Sequence, residues 1–530
     1  MSHILRLFVL FLAATASGCI NNGGGGSGGG SGTFAIATTT APFGIVGSPY
    51  STTLTTTNGT APFTWTLFGG TLPTGLTLTS STGAVTGTPG ANGTFTPTFT
   101  VRDSTGKTAI GSVAFAVHPK TDRVSVDNSG TAGNGASTEP VINSTDGRFI
   151  AFTSLATSLT PLPGGSGSQI FVHDRQTTLP ALISRDSLGN AGNGASSQPA
   201  ISTDGRFVAF TSLATNFVTL VGASGAQIFV RDTQTNQTLL ASRDTVGNAG
   251  NGASSEAAVS STGQFVAFTS LAPNLAPIPG GSGSQIFLRD TTGNTTVLIS
   301  QDAFGNAGNG ASSQPAMSAD GRFVAFTSLA TNLVSLVGAS GAQIFLRDTQ
   351  THQTLLVSRD TLGNAGNGAS SQPAISADGL FVAFTSSATN LASLIGASGT
   401  QILLHDTQTN QTLLVSRDTV GNAGNGASSE AAVSSTGQFV AFTSLAPNLA
   451  PIPGGSGSQI FFRDTSGNTT SLVSQDAFGN AGNGASSAPS IAGAGGAIAG
   501  ADGFVSFASL ASGLVSGSNV GSQVYVRAIP

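Results

Sequence analysis

The groups able to do chemistry in this chain are few, and most of them repeat. Its 530 residues hold 23 Asp and Glu, five His and one Cys. An enzyme needs unlike groups, with separated pKa values, converging on one place. Eighteen of the acids instead recur at three fixed positions at near-constant spacing. An acid that returns in this way is expected to cap or pair within its own structural unit. The histidines are His3, His118, His173, His352 and His405, and none has metal-ligand spacing such as His-Glu-x-x-His. No Gly-x-Ser-x-Gly elbow occurs outside the Gly/Ser-rich stretch before residue 33. The reading is a chain that is not an enzyme, with no catalytic residue, metal or cofactor assigned.

Two other sets could bind rather than react. Asn134, Asn193, Asn251, Asn309, Asn367, Asn425 and Asn483 occupy one loop position in seven successive units. Each amide offers two donors and an acceptor, so an exposed ring of them can hydrogen-bond sugars or peptide groups. The competing expectation is that these Asn, and the Gly around them, adopt the left-handed turns of a tight connection. Glu139, Glu256 and Glu430 stand where other units carry Gln198, Gln314, Gln372 and Ala488. Three carboxylates at one channel mouth could hold a cation or a cationic group. Ordinary solvated rim residues are the alternative.

The elements that position these groups follow from the repeat. A Ser-x-Asp ends a strand and precedes a Gly/Asn-rich loop, with its Asp at 127, 186, 244, 302, 360, 418 and 476. Units of this size bury a core only by stacking on one another. Within 199–244, strand signals fall at Pro199–Ser202, Arg206–Ser212, Gln227–Asp232 and Gln237–Ser242, with an Asp204-Gly205 turn. Four antiparallel strands make a propeller blade. The first strand of each unit lines the central channel. The chain opens on a fourth strand, Arg123–Val126, and stops after a third. That opening strand pairs beside Gln523–Val526 and closes a ring of seven blades, which removes exposed sheet edges. An open β-solenoid is the alternative, and needs capping repeats. The fourth-to-first and second-to-third connections are long and share one face, where loops on a rigid scaffold carry function. Residues 244–301 and 418–475 differ at four positions only, so three-blade blocks have been copied.

Residues 34–118 lie outside the repeat. Thr-rich alternating runs such as Phe63–Leu67 and Phe95–Val101, between Gly, Pro and Asn, indicate a small β-sandwich. Before it, an apolar run at Leu7–Ala14 is too short to span a bilayer and reads as a signal-peptide core over 1–18. Cys19, the only cysteine, cannot form a disulfide within the chain. Residues 19–33 then form a Gly/Ser tether. The net charge is −5, and the only lysines are Lys107 and Lys120. No basic stripe exists to displace counterions, so nucleic acid is set aside as a partner.

Three resemblances add to this. Ala16-Ser17-Gly18-Cys19 looks like a bacterial lipoprotein signal, with Ala16 where an aliphatic residue is usual, and implies lipidation of Cys19. Leu72–Leu78, Ser81–Pro89 and Phe99–Ser104 resemble the immunoglobulin-like (cadherin-like) modules of bacterial surface proteins. Calcium, often bound by the wider cadherin-like group, is the one cofactor this brings. A calcium site needs six to eight oxygens, and Asp103 is the only acid between 34 and 118. The Ser-x-Asp-Gly-Arg-Phe-Val-Ala-Phe-Thr-Ser and Gln-Ile-Phe-Val-Arg-Asp segments resemble TolB-like propellers of the bacterial envelope. Together these imply an all-β, lipid-anchored, monomeric protein at the outer membrane or cell surface, or else secreted or periplasmic. Residues 119–530 are the propeller, and its partner is a polysaccharide or a protein. Adhesion to a repetitive ligand, a periplasm-facing scaffold and an envelope hydrolase are the functions in play, in that order.

Overall fold

The computed structural model describes residues 33–529 except 48, 91–92, 119–120, 395, 477–478, 494–502, 516 and 518–519. The leader, Cys19 and the tether up to residue 32 lie outside these, so lipidation has no structural counterpart here. Every regular element among the described residues is a strand.

The propeller has seven four-stranded antiparallel sheets. Blade 1 runs Ser137–Ile142, Phe149–Ser154, Gln169–Asp174 and Leu179–Leu182. Blades 2 to 6 repeat the pattern from Ser196, Ser254, Ser312, Ser370 and Ser428. Blade 7 is built from both ends of the domain: Ser486–Ala492, Gly503–Ser509 and Gln523–Ile529, then Thr121–Arg123 as its outer strand. Thr121 lies opposite Arg527 and Arg123 opposite Tyr525, and the Val124 N–H continues the ladder to Val524 O at 2.8 Å. The closing strand therefore begins two residues before the expected Arg123 and closes the ring as the sequence implies.

Alternation explains the core. In Phe207–Ser212, Val208 and Phe210 face one neighbouring blade, and Ala209 packs with the other blade's core. The Val-Ala-Phe run is thus buried on both faces, with Phe207 partly buried ahead of it, and its small Ala admits the Phe of the next sheet. The first strands start three residues before the expected 140, 199 and their equivalents. A bulge between Thr138 and Val141, repeated in every blade, accounts for the difference. Pro140 has no N–H to give the ladder, and Glu139 beside it is held at φ +53.

The N-terminal module packs three small sheets and a two-stranded pair around Trp65, Val85, Phe99, Val101 and Phe115. It docks on the propeller's short-turn face. Phe43 meets Phe504 at 5.3 Å, and the buried Arg175 guanidinium lies 3.9 Å over Phe504 and 4.6 Å over Phe43. Arg175 also donates to Gly147 O in the blade 1 first-to-second turn, at 3.0 Å. Burial lowers its pKa to about 10. The module also borders the first marker loop, where Gly93, Thr94, Ala116 and Val117 line one cavity with Asn128, Ser129 and Gly130.

Candidate functional site

The three Glu sit one residue into the first-strand bulge, at the channel mouth beside the long-connection face. With Gln198, Gln314, Gln372 and Ala488 they form seven non-glycine residues at φ between 52 and 58. This backbone is costly for a residue with a side chain, and the neighbours hold it there. Glu139 Oε2 accepts the N–H of Gln198 in blade 2 at 2.7 Å and the Thr153 hydroxyl at 2.7 Å. Gln198 Oε1 accepts the N–H of Glu256, Glu256 Oε2 that of Gln314, and so on to Glu430 Oε2 and Ala488. A belt of hydrogen bonds therefore runs around the mouth. It stops at blade 7, where Ala488 has no acceptor for blade 1 and Ala508 stands where other blades have Thr.

Glu256 and Glu430 line one cavity with Gln314, Gln372 and Ala488. No group of three or more His, Cys, Asp or Glu suited to a metal occurs among the described residues. In each Glu one oxygen is already occupied by an amide and a hydroxyl.

All seven loop Asn are exposed. They do not take the left-handed backbone proposed as one alternative. That conformation falls on the glycine three residues after each marker Asp, such as Gly189 at φ +91. The Asn side chains act as staples instead. Asn193 Nδ2 donates to Thr215 Oγ1 at 2.9 Å, and its Oδ1 accepts the Thr215 N–H at 2.8 Å. Asn134, Asn309, Asn367 and Asn483 make the same pair of bonds to Thr157, Thr331, Thr389 and Ser512. Asn251 and Asn425 differ. Pro273 and Pro447 face them, and neither side-chain amide makes a hydrogen bond among the described residues. Gly194 is required for close approach, since a Cβ there would lie 2.7 Å from Leu213 C.

The marker loops do not lie wholly on the expected face. Arg231 Nη1 donates to Arg185 O at 3.2 Å, and the Thr238 hydroxyl donates to the same carbonyl at 3.0 Å. Arg185 Nη2 reaches Asn236 Oδ1 at 2.9 Å. Each loop tip is thus seated on the third-to-fourth hairpin of the following blade, at the outer edge of the ring. Blade twist brings the end of one outer strand to the start of the next. The tips point apolar side chains outward: Leu188, Val246, Phe304, Leu362 and Val420 are 81 to 90% exposed. The apolar residue two places after every marker Asp except Asp127, which Ser129 follows, was the sequence signal for these tips, and it was missed.

The repeated acids hold blades together. Asp186 Oδ1 accepts the N–H groups of Leu188 and Asn190 in its own loop. Asp232 takes a bidentate pair from Arg206, at 3.0 and 2.7 Å, which holds its carboxyl well below the usual carboxylate range. Asp103 is buried, which alone would raise its pKa. Bonds from Thr105, Thr60 and Lys107 outweigh that and lower it. With Oδ1 engaged by its own turn and Oδ2 by the Thr60 N–H, it does not fit calcium. The histidines are placed apart: His405 replaces the strand-three Arg of other blades, and His352 a turn Asn. Burial, with Arg359 nearby, lowers the His405 pKa to about 4.

Residues 33–118 match the family described as Putative Ig domain. No curated protein matches the chain. Among solved structures, the putative TolB from Agrobacterium tumefaciens is 15% identical, with a TM-score of 0.34 over 53% of this chain and 81% of its own. An oligogalacturonate lyase in complex with manganese is 11% identical, with a TM-score of 0.47 over 83% and 98%. A prolyl oligopeptidase B from Galerina marginata is 11% identical, with a TM-score of 0.38 over 84% and 55%.

Proposed function

We propose that this chain is a non-enzymatic binding scaffold of the bacterial cell envelope, tethered through a lipidated Cys19 at the outer membrane or cell surface. Its ligand is repetitive and meets the long-connection face. One observation carries this reading. The Ig-like module occupies the short-turn face, and the opposite face displays the same exposed Asn at seven equivalent places. Equivalent sites on a rigid ring favour a ligand that repeats, because each further contact forms at high effective concentration. The recurrence of the acids in blade-holding bonds further supports a binding role over turnover.

The test is protease and antibody accessibility of the propeller on intact and lysed cells. Access on intact cells is expected. Protection until lysis moves the protein to a periplasm-facing scaffold. A second reading, a protein-binding scaffold, is favoured by the apolar tips Leu188, Val246, Phe304, Leu362 and Val420. A polar substitution of these tips that abolishes capture of a protein partner, with glycan binding unchanged, would select it.

A further inference from the structure

We infer that two of the seven blades, 3 and 6, carry the ligand subsites, and that each takes a neutral sugar of a polysaccharide. This rests on the scaffold reading above. Five of the loop amides are spent on the neighbouring Thr or Ser. In blades 3 and 6 the partner position holds Pro273 and Pro447, which have neither an N–H nor a hydroxyl to offer. The Asn251 and Asn425 side chains therefore keep both donors and the acceptor for a ligand.

Their backbone is nonetheless fixed. The Asn251 N–H donates to Asn274 Oδ1 at 2.9 Å, and Asn274 Nδ2 donates to Ala249 O at 2.9 Å. Asn425 and Asn448 repeat this at 2.9 and 3.0 Å. A rigid backbone carrying an unspent amide loses little entropy on binding. Beside each amide are an exposed Pro ring and an exposed Leu, Leu271 at 59% and Leu445 at 58%. A flat apolar patch next to a donor–acceptor amide suits a pyranose, whose face is apolar and whose hydroxyls both give and accept. No charged side chain belongs to either set, so the sugar is neutral. Two identical subsites three blades apart favour one polymer spanning both.

The full chain is titrated calorimetrically with neutral glucan and chitin oligosaccharides of graded length, and with an uncharged Gly/Ser peptide. The decisive variant is P273T/P447T. It installs the residue that blades 2, 4 and 5 carry at this position, and so ties both amides down without altering the fold. It is expected to weaken glycan binding about tenfold or more, as bivalent contact is lost. The reverse change T215P releases Asn193 and is expected to tighten binding. Glycan binding indifferent to P273T/P447T overturns this assignment and leaves the scaffold reading standing. Binding of the peptide alone overturns the sugar assignment. If the wild-type chain binds neither, the repetitive-ligand reading falls with it.

Discussion

Gln198 and Glu139 are joined across a blade boundary, with the Gln198 N–H donating to Glu139 Oε2 at 2.7 Å. The same oxygen takes the Thr153 hydroxyl. Glu139 is in this respect a Gln with a charge, because the Gln blades make the same two bonds through a neutral amide oxygen. E139Q is therefore expected to fold with nearly unchanged stability. E139A leaves a buried hydroxyl and an amide without an acceptor and costs about 1–3 kcal/mol. Urea unfolding distinguishes them. Equal losses in both variants would mean that the charge itself matters.

The belt is open at one place only. A488Q/A508T supplies the missing acceptor and hydroxyl between blades 7 and 1. The pair is expected to stabilise the ring by about 1 kcal/mol, with the two changes worth more together than apart. A double-mutant cycle measures this. Strict additivity would show that the belt is not a coupled network.

Blade 5 carries a comparable defect. His405 stands where blades 2, 3 and 6 have Arg231, Arg289 and Arg463, each of which bonds the turn Asn of its own blade. The corresponding Asn410 Oδ1 is buried and has no hydrogen-bond partner among the described residues. His405 has a pKa near 4 when folded and about 6.5 when unfolded. The unfolded chain therefore binds more protons between these values, and stability falls as pH drops from about 6.5 towards 4. The loss from this group is at most about 3 kcal/mol. H405R is expected to raise the melting temperature at neutral pH and to flatten that slope. An unchanged pH profile would remove His405 as its source.

Close approach, rather than turn conformation, explains the glycine after each loop Asn. G194A places a methyl against the Leu213 backbone and is expected to cost about 1–3 kcal/mol. A melting curve indistinguishable from wild type would show that the loop can move aside.

The ring was readable because the repeat is nearly exact. The seven marker Asp from 127 to 476 give seven blades, and the single strand at the start with the three strands at the end gives the closure. The bulge was less visible. Pro140, Pro199, Pro315, Pro373 and Pro489 have no N–H for the ladder, but Ala257 and Ala431 stand there in blades 3 and 6 with the same bulge, and nothing in a Glu/Gln/Ala position announces a positive φ held by the preceding blade. The site was legible only in outline. The Asn recurrence was plain, whereas the bonds that occupy five of the seven depend on which residue the next blade brings to them. That difference was written in Leu-Ala-Thr-Asn against Leu-Ala-Pro-Asn. The outward tips were hidden for a different reason. They follow from blade twist, a property of the assembled sheet.

The most direct test of the scaffold account is calorimetric titration of the full chain with a length series of neutral oligosaccharides, followed by chromatography of the ligand afterwards. The account predicts affinity that rises steeply with oligosaccharide length and a ligand recovered intact. Cleavage of the ligand, or an affinity that does not depend on length, would contradict it.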